Sequence, residues 1–318
     1  MLSTLLSKAV YRLFALIFSL YCSFAGGVTP PSQEAPVKPS DNSAKLVFAA
    51  IADPQISNYM PDRMVYFKGA SEDLRAAQGL DAMLIAGDVA ENGMPEEYQM
   101  FCDELGSLPL RYIGCVGNHD IRLKPYAVSS ARFNKFMNTL NGDEDADCLH
   151  HSEFIQGVKF IVMGSDRTEF EESYIGKEQL EWLDSELASQ KGELTFVLIH
   201  QPLKLTHGLP QVWNSPIDSA GSVGAQSDEI RAILGKYNNV ILITGHEHTG
   251  FGQYTYEKID GFDSVNLPSL CCNNADGEYN EHGLGCIVEV YENSVIFRAR
   301  DMCKGIWLPE YDIKITLD

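Results

Sequence analysis

Five short runs along the chain are apolar almost without interruption, and each stops at a polar residue or at a glycine that precedes one. They are Leu46 to Ala52, Ala82 to Ala86, Leu110 to Val116, Leu194 to Ile199 and Val240 to Thr244. Runs of this length, rich in β-branched residues and bounded by turn formers, predict strands buried on both faces, as in a parallel sheet. Between them lie stretches of helical period, Asp62 to Gln78, Pro95 to Leu105, Pro125 to Leu140, Gly176 to Gln190 and Ser227 to Gly235. Leu180, Leu183 and Leu187 mark the apolar stripe of the fourth, and Pro95 suits the first turn of the second. Leu149 to Ile155 and Val158 to Met163 predict a hairpin around Gln156-Gly157. After His248 the pattern changes to short alternating segments: Gln253 to Ile259, Ser264 to Leu267, Gly285 to Tyr291, Val295 to Arg300 and Ile313 to Leu317. These are expected to form antiparallel hairpins that complete a second sheet. Gln201 to Gln226, with its prolines and glycines, is longer than a connection requires and is read as a functional lid or as a mobile insert.

Composition adds boundaries. With 318 residues, 45% of them hydrophobic, the chain can bury a large core. Met1 to Ala25 has the form of an export signal: Lys8 and Arg12, the apolar run Leu13 to Phe24, and the ending Ser23-Phe24-Ala25. That run is short for a membrane span, so an exported protein, periplasmic or extracellular, without a span in its mature part is expected. Residues 26–45, with Pro30, Pro31, Pro36 and Pro39, read as a flexible linker, and a single domain is expected over 46–318. The formal net charge is -20, and the leader contributes only positive groups, so the mature chain is more negative still. Stable binding to long nucleic acid is therefore disfavoured, whereas a small phosphorylated ligand remains compatible if cations dominate the local field. Seven cysteines follow the leader without zinc spacing and in odd number, which predicts mostly core residues. Oligomeric state is not encoded in any of these features.

The candidate chemistry sits where the apolar runs stop. Their ends supply Asp53 and Gln55, Asp88, Asn118 with His119, His200, and His246 with His248. Taken singly each is ordinary: Asp53-Pro54 suits a turn, and a His-x-His serves equally well as a pair of hydrogen-bonded structural residues. Taken together they place oxygen and nitrogen donors at the carboxyl edge of a sheet, where open α/β folds bind ligands. None is a thiolate, so the set suits manganese, iron, zinc or magnesium. It exceeds what one cation uses; two divalent ions about 3.5–4 Å apart, bridged by a carboxylate, would use it.

The segments Asp53-Pro54-Gln55, Gly87-Asp88, Gly117-Asn118-His119-Asp120, His200 and Gly245-His246-Glu247-His248 resemble, in order and spacing, the motifs of calcineurin-like metallophosphoesterases. The resemblance runs from Leu46 to Phe251. It implies a four-layer α-β-β-α sandwich with two mixed central sheets, and hydrolysis of a phosphate ester or anhydride by metal-bound hydroxide. It also implies one metal among Asp53, Gln55, Asp88 and His248, a second among Asp88, Asn118, His200 and His246, and Asp88 as the bridge. His119 would protonate the leaving oxygen. Glu91, Asn92 and Asp120 are candidates for orienting these groups or meeting substrate, as are His207 in the lid and His282 near Asn273 and Asn274. Arg122 is read as an exposed side chain or a phosphate contact.

Two departures sharpen the comparison. Gln55 stands where most of the superfamily has histidine; its amide oxygen is a weaker donor than imidazole and favours looser binding or a harder ion, and Asp-x-Gln resembles one branch of the superfamily. Val89-Ala90-Glu91-Asn92 lacks the tyrosine that purple acid phosphatases carry there. A phosphodiesterase acting on a nucleotide-type substrate is the favoured expectation. A phosphomonoesterase on the same site and a non-catalytic metal-containing binding module are the alternatives.

Overall fold

Along β1 (Leu46–Ile51) the two sides of the strand enter different cores. Leu46, Phe48 and Ala50 face one apolar cluster, while Val47, Ala49 and Ile51 face another. That is why the run carries no polar residue: a strand covered on both faces has no solvent side. The structure is a computed structural model and describes residues 44–190, 192–272 and 276–318. The expected leader, nearly all of the expected linker, and Asn273 and Asn274 lie outside the described residues.

In chain order the elements are β1, α1 (Pro61–Ala76), β2 (Ala82–Ile85), α2 (Pro95–Leu105), β3 (Arg111–Gly114), α3 (Asn118–Ile121), α4 (Tyr126–Asn141), β4 (His151–Ile155), β5 (Val158–Val162), α5 (Lys177–Ala188), β6 (Thr195–Leu198), α6 (Ser227–Leu234) and β7 (Val240–Thr244). Then follow β8 (Tyr256–Ile259), β9 (Phe262–Asn266), β10 (Leu284–Val290), β11 (Ser294–Asp301), β12 (Ile306–Trp307) and β13 (Ile313–Thr316). The first sheet runs β12-β11-β10-β1-β2-β3, with β13 also on β11; the second runs β4-β5-β6-β7-β9-β8. Strands β1 to β3 are mutually parallel, as are β5, β6, β7 and β9, and the outer pairs are antiparallel, so both sheets are mixed.

The sheets face each other across Phe48, Phe160 and Phe196, whose rings lie 5.1 to 5.5 Å apart. Outside the first sheet α1, α2 and α4 contribute Phe67, Phe101, Phe133 and Phe136. Outside the second, α5 and α6 contribute Leu180, Leu183, Leu187, Ile230 and Leu234. The result is the α-β-β-α order of layers.

One expectation is overturned. The tail does not complete the second sheet: β10 to β13 join the first, with β10 pairing antiparallel with β1 in the register Ala49↔Ile287. Only β8 and β9 enter the second sheet, and β9 runs parallel to β7. Period-2 patterning shows that a segment is a strand but not which edge it meets. Among the described residues, no helix is long and apolar enough to cross a membrane.

Candidate metal centre

The carboxyl ends of β1, β2, β6 and β7, with the turn after β3 that opens α3, converge on one cleft. There the backbone leaves the comfortable region of conformational space. Asp53 (φ 51°), Gln55 (41°), Asp88 (50°), His246 (76°) and His248 (58°) are all left-handed, five of the eleven non-glycine residues of that kind among the described ones. Each such residue costs about 1–3 kcal/mol, so their concentration here marks geometry held for a purpose other than stability. Gly87 is needed as well: its φ is 84°, and a Cβ on it would lie 2.4 Å from His200 Nδ1.

Asp88 is fully buried at the centre. Its Oδ1 accepts the His119 backbone N–H at 2.8 Å. Its Oδ2 lies 3.1 Å from His200 Nε2 and 3.0 Å from Gln55 Nε2. Asp53 accepts the His246 N–H at 3.0 Å, and its Oδ1 lies 3.2 Å from His248 Nε2. His200 Nδ1 lies 2.7 Å from the Ala86 carbonyl, which fixes that nitrogen as the protonated one in the neutral ring. His200 Nε2 then presents a lone pair to the Asp88 carboxylate and to His246 Nδ1, 3.2 Å away. Lone pairs facing lone pairs repel unless a proton or a cation stands between them.

The titration behaviour expresses the same conflict. Burial alone would lower the His200 pKa, but Asp88 overrides it and raises the value to about 9. Burial would raise Asp88, but His200 and His119 hold it well below the carboxylate range. Burial, reinforced by His200, keeps His246 well below the usual range and therefore neutral. Asn118 Oδ1 and His246 Nε2 are buried beside these groups without a hydrogen-bond partner. The Asn118 amide is oriented from behind, its Nδ2 donating to Phe170 O at 3.1 Å and to Glu171 Oε2 at 3.0 Å.

These donors fit divalent cations. Asp88, His200 and His246 form one group whose ligand atoms lie within 4.8 Å of one another, and Asp53, Asp88 and His248 form a second. Asp88 belongs to both, and the oxygen and nitrogen chemistry matches borderline or hard ions.

The other residues singled out by sequence divide clearly. His119 approaches the cleft with Nε2, 4.0 Å from Asp88 Oδ2. On its far side Nδ1 meets Glu91 O at 3.0 Å, Glu91 Oε2 at 3.4 Å and Arg122 Nη2 at 2.9 Å. Burial would lower its pKa, but Asp88 and Glu91 leave it raised. Glu91 also pairs with Arg63. Arg122 is therefore neither exposed nor idle; it packs over Phe170 and reaches Glu171 at 3.3 Å. Asp120 lies behind the motif, where it accepts from the Gly117 and Ala90 N–H groups and from Tyr98 Oη, and so locks the turn. Asn92 turns away and bonds Glu97 at the start of α2. His207 does not line the cleft. It is fully buried, with its ring between Tyr254 O and Ser264 Oγ at 2.7 Å each, and it pins the long loop to the second sheet. His282 stacks on Tyr66 at 4.0 Å, also off the cleft wall.

The cleft is a cavity of about 330 Å³ lined by Gln55, Asp88, His119, Glu171, Val212, Trp213, His246, Glu247 and His248. Glu171, Val212 and Trp213 escaped the sequence reading because they lie on irregular segments with no periodic signal.

Residues 46–250 match the family model of the calcineurin-like phosphoesterase. The chain belongs to that family. A 3′,5′-cyclic-nucleotide phosphodiesterase of Nostoc sp. is 30% identical to this phosphoesterase-family chain over 183 residues, 57% of this chain and 59% of the relative. A probable glycerophosphodiester phosphodiesterase of Arcobacter nitrofigilis is 26% identical over 172 residues, 53% and 56% of the two chains. The match thus spans a little over half the length of these curated relatives. Among solved structures, a dimetal phosphatase from Danio rerio aligns with TM-score 0.63 and 15% identity, covering 86% of this chain and all of the other. GAP50, the anchor in the inner membrane complex of Plasmodium, aligns with TM-score 0.54 and 15% identity, over 86% and 89%. Both agree with the four-layer fold.

Proposed function

We propose that the chain is a metal-dependent hydrolase of phosphodiesters, preferring a nucleotide-type substrate, and that it acts outside the cytoplasm after loss of residues 1–25. The observation that carries this reading is the cluster of mutually facing lone pairs on Asp53, Asp88, His200, His246 and His248, which only protons or cations reconcile. Asp53, Gln55, Asp88 and His248 would hold one divalent ion and Asp88, Asn118, His200 and His246 the other. Manganese, iron, zinc and magnesium all suit the donors. When bound, such a pair clamps phosphoryl oxygens and acidifies water.

The chain's own residues do the rest. The Ala86 carbonyl holds the His200 ring so that Nε2 faces inward. Phe170 O and Glu171 fix the Asn118 amide with its oxygen inward. His119 carries a proton at Nε2 toward the cleft, where it can pass to a leaving alkoxide. Arg122 and Glu91 grip the opposite nitrogen and set the ring plane. A preference for diesters draws support from the printed activities of the relatives.

The test is hydrolysis of a chromogenic phosphodiester and its monoester counterpart by residues 26–318 with manganese added, beside Asp88→Asn. Manganese-dependent turnover of the diester that disappears in the variant is expected. A wild type that binds no metal, or turnover that survives Asp88→Asn, would overturn the reading.

A further inference from the structure

The three tryptophans of the chain have different surroundings. Trp182 packs against the α5–α6 core and Trp307 against the α1–α2 core, whereas Trp213 joins none of the three apolar clusters of the described residues. It lies instead in a single 3-10 turn, Gln211–Trp213, inside the long loop between β6 and α6. It is half-buried and lines the metal cleft beside Val212. A large aromatic outside every core needs another reason to be held in place.

It is held firmly. Gly221, in the left-handed region at φ 73°, closes against the indole so tightly that a Cβ there would lie 2.9 Å from Trp213 Cε2. Beyond, the indole and the His246 ring are 4.9 Å apart and tilted by 35°. The segment behind Trp213 is anchored as well, through the buried His207 and through Ser219, whose hydroxyl donates to Glu172 at 2.9 Å. This part of the lining therefore stands preformed and apolar beside a candidate ligand, whereas His119 and Glu171, which also line the cleft, are polar.

We propose that Trp213 and Val212 form a shelf for the planar aromatic substituent of the substrate, a nucleobase in chemical class, carried by the phosphoryl group seated at Asp88 and His246. The shelf rests on the phosphodiesterase reading and extends it from reaction to substrate. The phosphoryl end meets charged and imidazole donors; Trp213 and Val212 are the apolar side chains among those that line the same cleft. The volume of about 330 Å³ falls in the range of about 300–1,000 Å³ usual for small-molecule sites. Stacking on an aromatic face is indifferent to which base is offered, so the shelf selects for a base without selecting among bases.

Binding tests this without turnover. Calorimetry on manganese-loaded protein would compare adenosine 5′-phosphorothioate with ribose 5-phosphorothioate, the same ester with and without a base. The wild type is expected to bind the nucleoside form about tenfold tighter. Trp213→Ala should reduce that preference to about twofold or less, and Trp213→Phe should keep most of it; equal melting temperatures show that both variants are folded. No preference in the wild type, or a preference undiminished in Trp213→Ala, would overturn the shelf. Diester hydrolysis measured on the same preparations separates the two readings. A base preference without turnover leaves the shelf and removes the hydrolase, and turnover without a base preference does the reverse.

Discussion

Between the sheets and at their carboxyl edge, the same strands meet opposite physical demands. Phe48, Phe160 and Phe196 are fully buried, their edge-to-face and stacked contacts satisfy one another, and nothing from outside is needed. Just past the strand ends, Asp53, Asp88, His200 and His246 are as deeply buried, yet they present lone pairs to one another, and Asp53, Asp88 and His246 do so from a left-handed backbone. The interior is complete as folded; the edge is complete only when protons or cations stand between its lone pairs. Depth of burial therefore does not separate structural from functional residues here. What separates them is whether the buried groups satisfy each other.

The largest stability effect should come from the interior. Phe196→Ala opens a cavity between the sheets and should cost about 3–5 kcal/mol in chemical denaturation, while the residual folded protein still binds manganese. The edge should respond to metal instead. Manganese at a hundredfold excess over its dissociation constant should stabilise the wild type by about 2.7 kcal/mol for each site filled, read as a higher melting temperature reversed by chelator. Asp88→Asn should show almost none of this gain. A comparable gain in that variant would break the contrast. His119→Asn sharpens it differently, because the ring touches no proposed metal atom. The manganese-induced shift should persist while kcat for the diester falls about a hundredfold. The smallest effect belongs to Gln55→His, which replaces an amide donor by imidazole. It should tighten the weaker of two manganese sites by less than about tenfold, measured by calorimetry.

The strands and their chemistry were legible in sequence for one reason. A strand buried on both faces must be apolar throughout, so Asp53, Asp88, His200 and His246 stand out where Leu46–Ile51, Ala82–Ile85, Thr195–Leu198 and Val240–Thr244 end. Helices were placed within one or two residues because their periodicity is local. Pairing between distant strands left no local trace, and the tail was assigned to the wrong sheet. Loop chemistry was equally silent. His207 attracted notice as a histidine in a lid and is a buried strut, whereas Trp213, in the same loop, reaches the cleft. Arg122 reads in sequence as an exposed side chain or a phosphate contact, because nothing there reveals that it packs over Phe170 and pairs with Glu171.

The placement of β10 beside β1 sets an order of events during synthesis. β1 bears the turn of Asp53 and Gln55, yet its partner on one side, Leu284–Val290, leaves the ribosome more than two hundred residues later. Until then β1 offers an open, wholly apolar edge, the kind of surface that pairs with other chains. The family-matched portion ends at residue 250, before that edge is covered. A nascent chain halted there would carry every proposed ligand and still lack the strand that closes the sheet beneath them. The interval before β10 arrives is thus when that edge is most open to pairing with another chain.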